Sequence, residues 1–474
     1  MSTTERIAPL VALGLGLLLS PLDGDGLRAA LCVAGAAAIL FGRSAPRLPA
    51  LLLWAGLSCG VALGGPLRAV ANDQLHVEAW APAMLEDAWF AEVGYRDLWD
   101  QVLAADLTGG GQLRAHHQIR DLRTMRLEPS NPLGREPAPG WSPARWATFA
   151  EDVARWQDRH PAPKRWKRIL RSGGHRASPL VRLLRPGSDG APDAPRRRWL
   201  ALLDLALFAG VFVFAIRARG AETAWLLAAL ILLGFGASAG LVGLPPTGAL
   251  PAVLALAAAL PDRPRTAGGA AAWLAGTALH LALLPVLLVA LFVITDRPRL
   301  PRFAQGLAAV ALVGLLAAAA GPRGPSAWTE WARAEHRLLT EDGRSSTRVG
   351  LPVLFHQPAR AELGNRNARE AAWDARHTAA GAVGLLALLA LAWRRRPALL
   401  AAAPLLLFPL PALAASLLAP LAVGGSRTLQ AALLAPSLGF YALRGAIPGT
   451  FGDHVLASAL LLAVLALAAR PAAD

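Results

Sequence analysis

Long runs of Ala and Leu alternate along the chain with two polar segments, 66–198 and 322–377. Apolar runs fall at 7–22, 27–41, 48–64, 199–216, 223–243, 247–260, 270–294, 303–320, 378–393, 398–422, 428–443 and 455–469. A helix needs about 20 apolar residues to cross a hydrocarbon core untilted, and only helices satisfy their own backbone there. The pattern therefore predicts an all-α fold, a polytopic transmembrane helix bundle of about 10–12 spans with two helical extramembrane insertions. It divides the chain into N-terminal spans (1–65), an amphipathic polar insertion (66–198), a central bundle (199–321), a second polar loop (322–377) and a C-terminal bundle (378–474). The first run follows Arg6, lacks a small-x-small cleavage site and is expected to be a retained span. Leu244, Pro245 and Pro246, uncharged between two runs, predict either a tight hairpin or a broken, re-entrant helix.

The polar segments carry helical periodicity of their own. Tyr95, Leu98, Trp99, Val102 and Leu103 recur at helical spacing, and the glycines from Gly109 to Gly111 end that run. Ser142 and Pro143 read as an N-cap and first helical position, Trp146, Phe149, Val153 and Trp156 mark one face, and Pro161 stops the helix. Lys164, Arg165, Trp166, Lys167, Arg168 and Arg171 then form a short polybasic helix with Trp166, Ile169 and Leu170 on one face. That composition suits a helix lying on an anionic leaflet. A further start is expected at Ser178-Pro179. In the second segment, a helix is predicted from Ser326 to Leu339, extended chain around Pro352, and a capped helix from Asn367.

Composition agrees with a membrane class. The chain has 474 residues, 54% hydrophobic and 17% charged, where a soluble protein averages about 25% charged. The first polar segment holds 21 Lys+Arg against 16 Asp+Glu and the second 9 against 7. The formal charge of +15 sits largely in arginines at the ends of apolar runs, where they can reach lipid headgroups. This favours anionic lipid over nucleic acid, for which no free-standing basic domain exists. If each run is one span, Arg196–Arg198, Arg297/Arg299/Arg302 and Arg394–Arg396 share one side. The positive-inside rule then places 66–198 inside and 322–377 outside. Aligning Arg217 with Arg394 overlays 200–296 on 377–473, a two-half plan of the kind transporters use.

Candidate chemistry is sparse. Asp204 and His280 are the two ionisable groups read as lying inside the bilayer, and they could serve a substrate or proton pathway. Cys32 and Cys59 are expected to be small buried hydrophobes, and no cofactor is called for. His116 and His117 lack metal-ligand spacing, so no metal site is expected. Segment 322–377, with Trp, Arg and His ahead of an apolar helix bearing Gly381 and Gly384, is similar to the outer loop of O-antigen ligases and polymerases. That resemblance implies glycosyl transfer from a lipid-linked sugar, with Arg333, His336, His356 and Arg360 as the corresponding catalytic candidates. The expected function is a multi-pass protein of a bacterial inner membrane. It would be a permease-like transporter or a membrane subunit of an envelope assembly, with the glycosyltransferase or a structural scaffold as alternatives. Its partners would be anionic headgroups and proteins docked on 66–198.

Overall fold

The computed structural model describes residues 3–22, 24–41, 47–108, 111, 113, 118–130, 136–137, 140–159, 161–172, 174, 177–185, 194–234, 241, 244–260, 262–341, 348–355, 375–376, 378–388, 403–407, 410–443 and 452–469. Among these residues the fold is helical apart from two short antiparallel ladders, Gln118–Arg120 with Leu127–Pro129 and Arg348–Val349 with Leu410–Pro411. Among the described residues, three helices are long and apolar enough to cross a membrane: Pro49–Ala71, Arg196–Arg219 and Arg297–Ala320. At 1.5 Å per residue, the 24-residue pair reach about 36 Å, against a core of about 30 Å.

The N-terminal unit is a three-helix layer, α1 (Thr3–Leu19), α2 (Asp25–Phe41) and α3 (Arg47–Ala71). Pro9 lies against Gly56, Leu13 against Gly60 and Ser20 against Gly64, so α1 and α3 run parallel in direct contact, and α2 packs on α3 where Gly35 meets Trp54. A side chain at Gly60 would run into the carbonyl of Leu13, so glycine is what lets these backbones touch. α3 carries through Pro66 to Ala71, past the boundary expected at residue 65.

The polar segment between α3 and the next long helix folds into a compact cap. It comprises α4 (Val77–Ala88), α5 (Phe90–Val93), α6 (Leu98–Thr108), the β1–β2 ladder (Gln118–Arg120, Leu127–Pro129), α7 (Pro143–Arg159), α8 (Pro163–Arg171) and α9 (Pro179–Arg182). Their apolar faces meet in an aromatic core of Trp80, Trp99, Phe149, Trp156 and Trp166, each almost fully buried. The expected caps are present, with Ser142 Oγ accepting from Arg145 N and Ser178 Oγ from Val181 N. The cap is tied to the bundle at Asp73, which has a left-handed φ of 55° and pairs with both Arg159 and Arg197. Arg197 is thereby drawn beneath Trp156 and does not face lipid.

The central bundle runs through α10 (Ala194–Arg219), α11 (Ala221–Leu233), α12 (Ala249–Ala259), α13 (Pro264–Thr277), α14 (Leu283–Thr295), α15 (Leu300–Ala320) and α16 (Ser326–Glu341). α12 starts beside Asp204, on the cap side of α10, and ends where Arg219 meets the carbonyl of Ala258 and the carboxylate of Asp262. α13 starts at that far end, beside α15, with Gly268 against the carbonyl of Phe303 and Gly306 against that of Arg265. It finishes at the cap, where Gly276 lies under Leu180. Residues 278–282 then turn the chain, through extended Ala278 and a 3-10 turn at Leu279–Leu281, and α14 returns to bring Phe292 against Phe303. The run 270–294 is thus a helical hairpin and not one span. The following α15 climbs back to the cap, and α16 folds onto it.

Several other expected spans are also interrupted. The 398–422 run becomes Pro404–Leu407, a two-residue strand and a 3-10 helix at Ala412–Ala422, and 428–443 splits into Arg427–Ala432 and Ala435–Leu443. The expected extended chain around Pro352 is helical at 351–355. The two-half plan is not repeated element for element, since Gly452–Ala469 is one helix where its overlay partner breaks at 278. The C-terminal part docks through Tyr441, which donates to the carbonyl of Leu233 and accepts from Arg28.

Candidate functional site: an arginine-rimmed cavity under the cap

The two polar segments, expected on opposite sides, pack directly on each other. Phe90 and Tyr95 from the first join Ala327, Trp331 and Ala334 of α16 in one buried cluster, with Leu279 of the hairpin turn against it. Arg323 spans the junction. Its Nε donates to the carbonyl of Phe90 at 3.0 Å, one Nη to that of Ala91 at 3.1 Å and the other to Glu330 at 2.9 Å. Arg337 of α16 also donates to the carbonyl of Arg123. These contacts overturn the opposite-sides expectation. Its error was one of parity, because counting 270–294 as a single pass sent every later element to the wrong end.

At this junction lies a cavity of about 510 Å³ lined by Asp87, Phe90, Pro179, Arg182, Leu183, Arg185, Ala317, Ala318, Ala320, Gly321, Pro322, Arg323 and neighbours. The sequence builds it from three places. The Ser178-capped α9 sets Arg182 and Arg185 three residues apart, α4 ends at Glu86 and Asp87, and α15 supplies a small-residue wall. Arg182 donates to Asp87 at 2.7 Å, to Glu86 at 2.8 Å and to the carbonyl of Ala177 at 3.2 Å, with its guanidinium 3.6 Å from the Phe90 ring centroid. Arg185 reaches the other oxygen of Asp87 at 2.6 Å. Arg323, at 5.4 Å from the Phe90 ring centroid, is the second guanidinium against that ring.

Electrostatics follow from burial and pairing. Burial pulls Arg182 down, but Asp87, Tyr95 and Glu86 outweigh it and its pKa is raised. Arg185 is deeper, and burial lowers its pKa despite the opposing pull of Asp87, Glu86 and Asp204. Burial pushes the Tyr95 hydroxyl up, partly offset by Arg182. Tyr95 donates to the carbonyl of Ala177 at 2.7 Å, which locks the strand of chain leading into α9.

The sequence-derived candidates are distributed differently. Asp204 caps a helix: its two oxygens accept from Thr247 N at 3.0 Å and Gly248 N at 2.9 Å, where Leu244, Pro245 and Pro246 have broken the chain ahead of α12. Non-helical backbone inside an apolar bundle needs such a partner. His280 stands in the 278–282 turn at the cap end, not midway along a span as expected. Trp166, Ile169 and Leu170 of α8 are buried in the cap core, so the apolar face expected to enter lipid is already covered. Lys164, Arg165, Lys167 and Arg168 remain on the outer surface, and Arg171 is half-buried beside Gln118. Arg333 and His336 share the exposed face of α16 and are absent from the cavity lining. His356 and Arg360 lie outside the described residues, as do His116, His117 and Arg394–Arg396. Among the described residues no cluster could hold a metal ion.

Arg182, Arg185 and Arg323 do not stand out in the sequence from the other arginines of the polar segments. The available signals were the three-residue spacing of Arg182 and Arg185 behind an N-cap, and an arginine set between the glycine-proline pairs Gly321-Pro322 and Gly324-Pro325. Compared with known proteins, the chain matches no family model, no curated protein and no solved structure.

Proposed function

We propose that this chain is a multi-pass protein of a bacterial inner membrane and acts as a membrane subunit of an envelope assembly. The observation that carries the reading is the meeting of both polar segments at one end of the helices, while short arginine-rich connections occupy the other. Arg217, Arg219, Arg263, Arg265, Arg297, Arg299 and Arg302 all belong to that far end. Short basic loops mark the cytoplasmic side, whereas long segments cross largely regardless of charge. The cap would therefore lie outside. The outward faces of α10 and α15 support a lipid environment, since Val213, Leu312, Leu315 and Leu316 are exposed, and Trp199 is exposed at the cap end of α10, where an interfacial anchor belongs. A permease-like transporter is less supported, because Asp204 serves a helix start and His280 stands in a turn.

Paired reporter fusions test the reading. Fusions after Gly140 and after Glu341 should both report the outer side, and a fusion in the Arg219-to-Ala221 connection the cytoplasm. Opposite signals from Gly140 and Glu341 would sink it. A glycosyltransferase remains a second reading, favoured by Arg333 and His336 sharing an exposed face on the same side as the cap. Loss of glycan polymer on Arg333→Ala or His336→Ala, with membrane insertion intact, is its expected result; unchanged polymer removes it.

A further inference from the structure

We propose that the cavity between Arg182, Arg323 and the end of α15 binds a phosphate-bearing amphiphile, a phospholipid drawn from the adjoining leaflet. Its headgroup and glycerol would enter the cavity, with the acyl chains left along α15. The inference deepens the membrane reading and rests on it.

Three observations carry it. The volume of about 510 Å³ falls within the range of about 300–1,000 Å³ typical of ligand sites, which pair apolar walls with a few placed polar groups. The ionised groups are also unevenly accessible. Side chains of Arg323 and Arg182 are 25% and 15% exposed; of their carboxylate partners, Asp87 and Glu86, which hold Arg182, are 5% and 1% exposed, and Glu330, which holds Arg323, is 24% exposed but absent from the cavity lining. Within the lining, an entering headgroup therefore finds the guanidinium groups of Arg323 and Arg182 more accessible than the carboxylate of Asp87. Guanidinium forks match phosphate oxygens in geometry as well as charge. Finally, the small wall formed by Ala317, Ala318 and Ala320 is the last turn of a helix whose preceding turns expose Leu312, Leu315 and Leu316. One helix thus offers a surface for acyl chains and, directly beyond it, a recess with a cationic rim. Neither feature alone specifies an amphiphile; their continuity does.

The test uses the full chain in a neutral glycoside detergent, titrated calorimetrically with dihexanoyl phosphatidylglycerol, dihexanoylglycerol and inorganic phosphate. Saturable binding of the phospholipid is expected, with the other two weaker by about tenfold or more. Arg323→Gln should weaken the phospholipid by about tenfold, and Ala317→Phe, which fills the recess without touching a charge, should abolish binding. The second variant keeps the test decisive if the first fails to fold. Lys164→Ala/Lys167→Ala on the outer surface should bind as the parent does. Equal binding of dihexanoylglycerol, equal binding of free phosphate, or loss of binding only in the Lys164/Lys167 variant would each overturn the proposal. The fusion experiment above reads sidedness independently, so failure of the membrane reading and failure of this site are separable.

Discussion

Both oxygens of Asp204 are committed to the amides of Thr247 and Gly248, so its removal strands two donors, one buried and one partly buried. Asp204→Ala should cost roughly 1–3 kcal/mol, measured by thermal unfolding in detergent, and Asp204→Asn less, since an amide oxygen still accepts. An Asp204→Ala protein as stable as the parent would refute the capping role. Asp100 makes a second test. It pairs with Arg123 at 3.0 Å, yet burial is the larger influence and raises its pKa to about 6. Because the folded value lies above the ordinary one near 4, the contribution to stability is full below that value and is lost as pH rises through 6. Asp100→Asn should therefore narrow the gap between melting temperatures at pH 5 and pH 7, mainly by raising the pH 7 value. A sequence shows that such residues are unusual. It does not show what they bond, because Asp204 and its partners are 43 and 44 residues apart.

Amphipathic helices in the polar segments were readable from periodicity, and α6, α7 and α16 form close to where expected. What their apolar faces cover was not readable, because lipid and an aromatic core select the same residues. α8 is the clearest case. Its tryptophan closes the cap core, so Trp166→Ala should cost about 3–5 kcal/mol, while Lys164→Ala or Lys167→Ala should stay within about 0.5 kcal/mol. Equal effects would show that α8 is not docked. The α13–α15 contact is similarly specific. A side chain at Gly306 would collide with the carbonyl of Arg265, so Gly306→Val should destabilise by about 1–3 kcal/mol through overpacking. The hairpin at 278–282 is the element least visible in the hydropathy pattern, which runs apolar through it. Its one local signal is Pro285, acceptable in the first turn of α14 but awkward in the middle of a 25-residue span.

Taken whole, the chain is a bundle with one decorated end. Helical class could be read from hydropathy, but the end of the bundle at which the second polar segment starts depended on an even or odd number of helices before it, and the single turn at 278–282 reversed it. The cavity depended on that placement, since its walls come from α4, α9 and the end of α15, which only a shared end brings together.

The Arg323–Phe90 bond has a consequence for how the protein is made. Its partners are 233 residues apart, which at 5–20 residues per second means on the order of tens of seconds of synthesis between them. Over that interval the nascent first segment has no α16 to cover Phe90 and Tyr95, and the recess has no floor. Anything that holds Phe90 and Tyr95 during that interval would have to leave before α16 arrives, so closure of the cap is a late step that reports completion of the central helices.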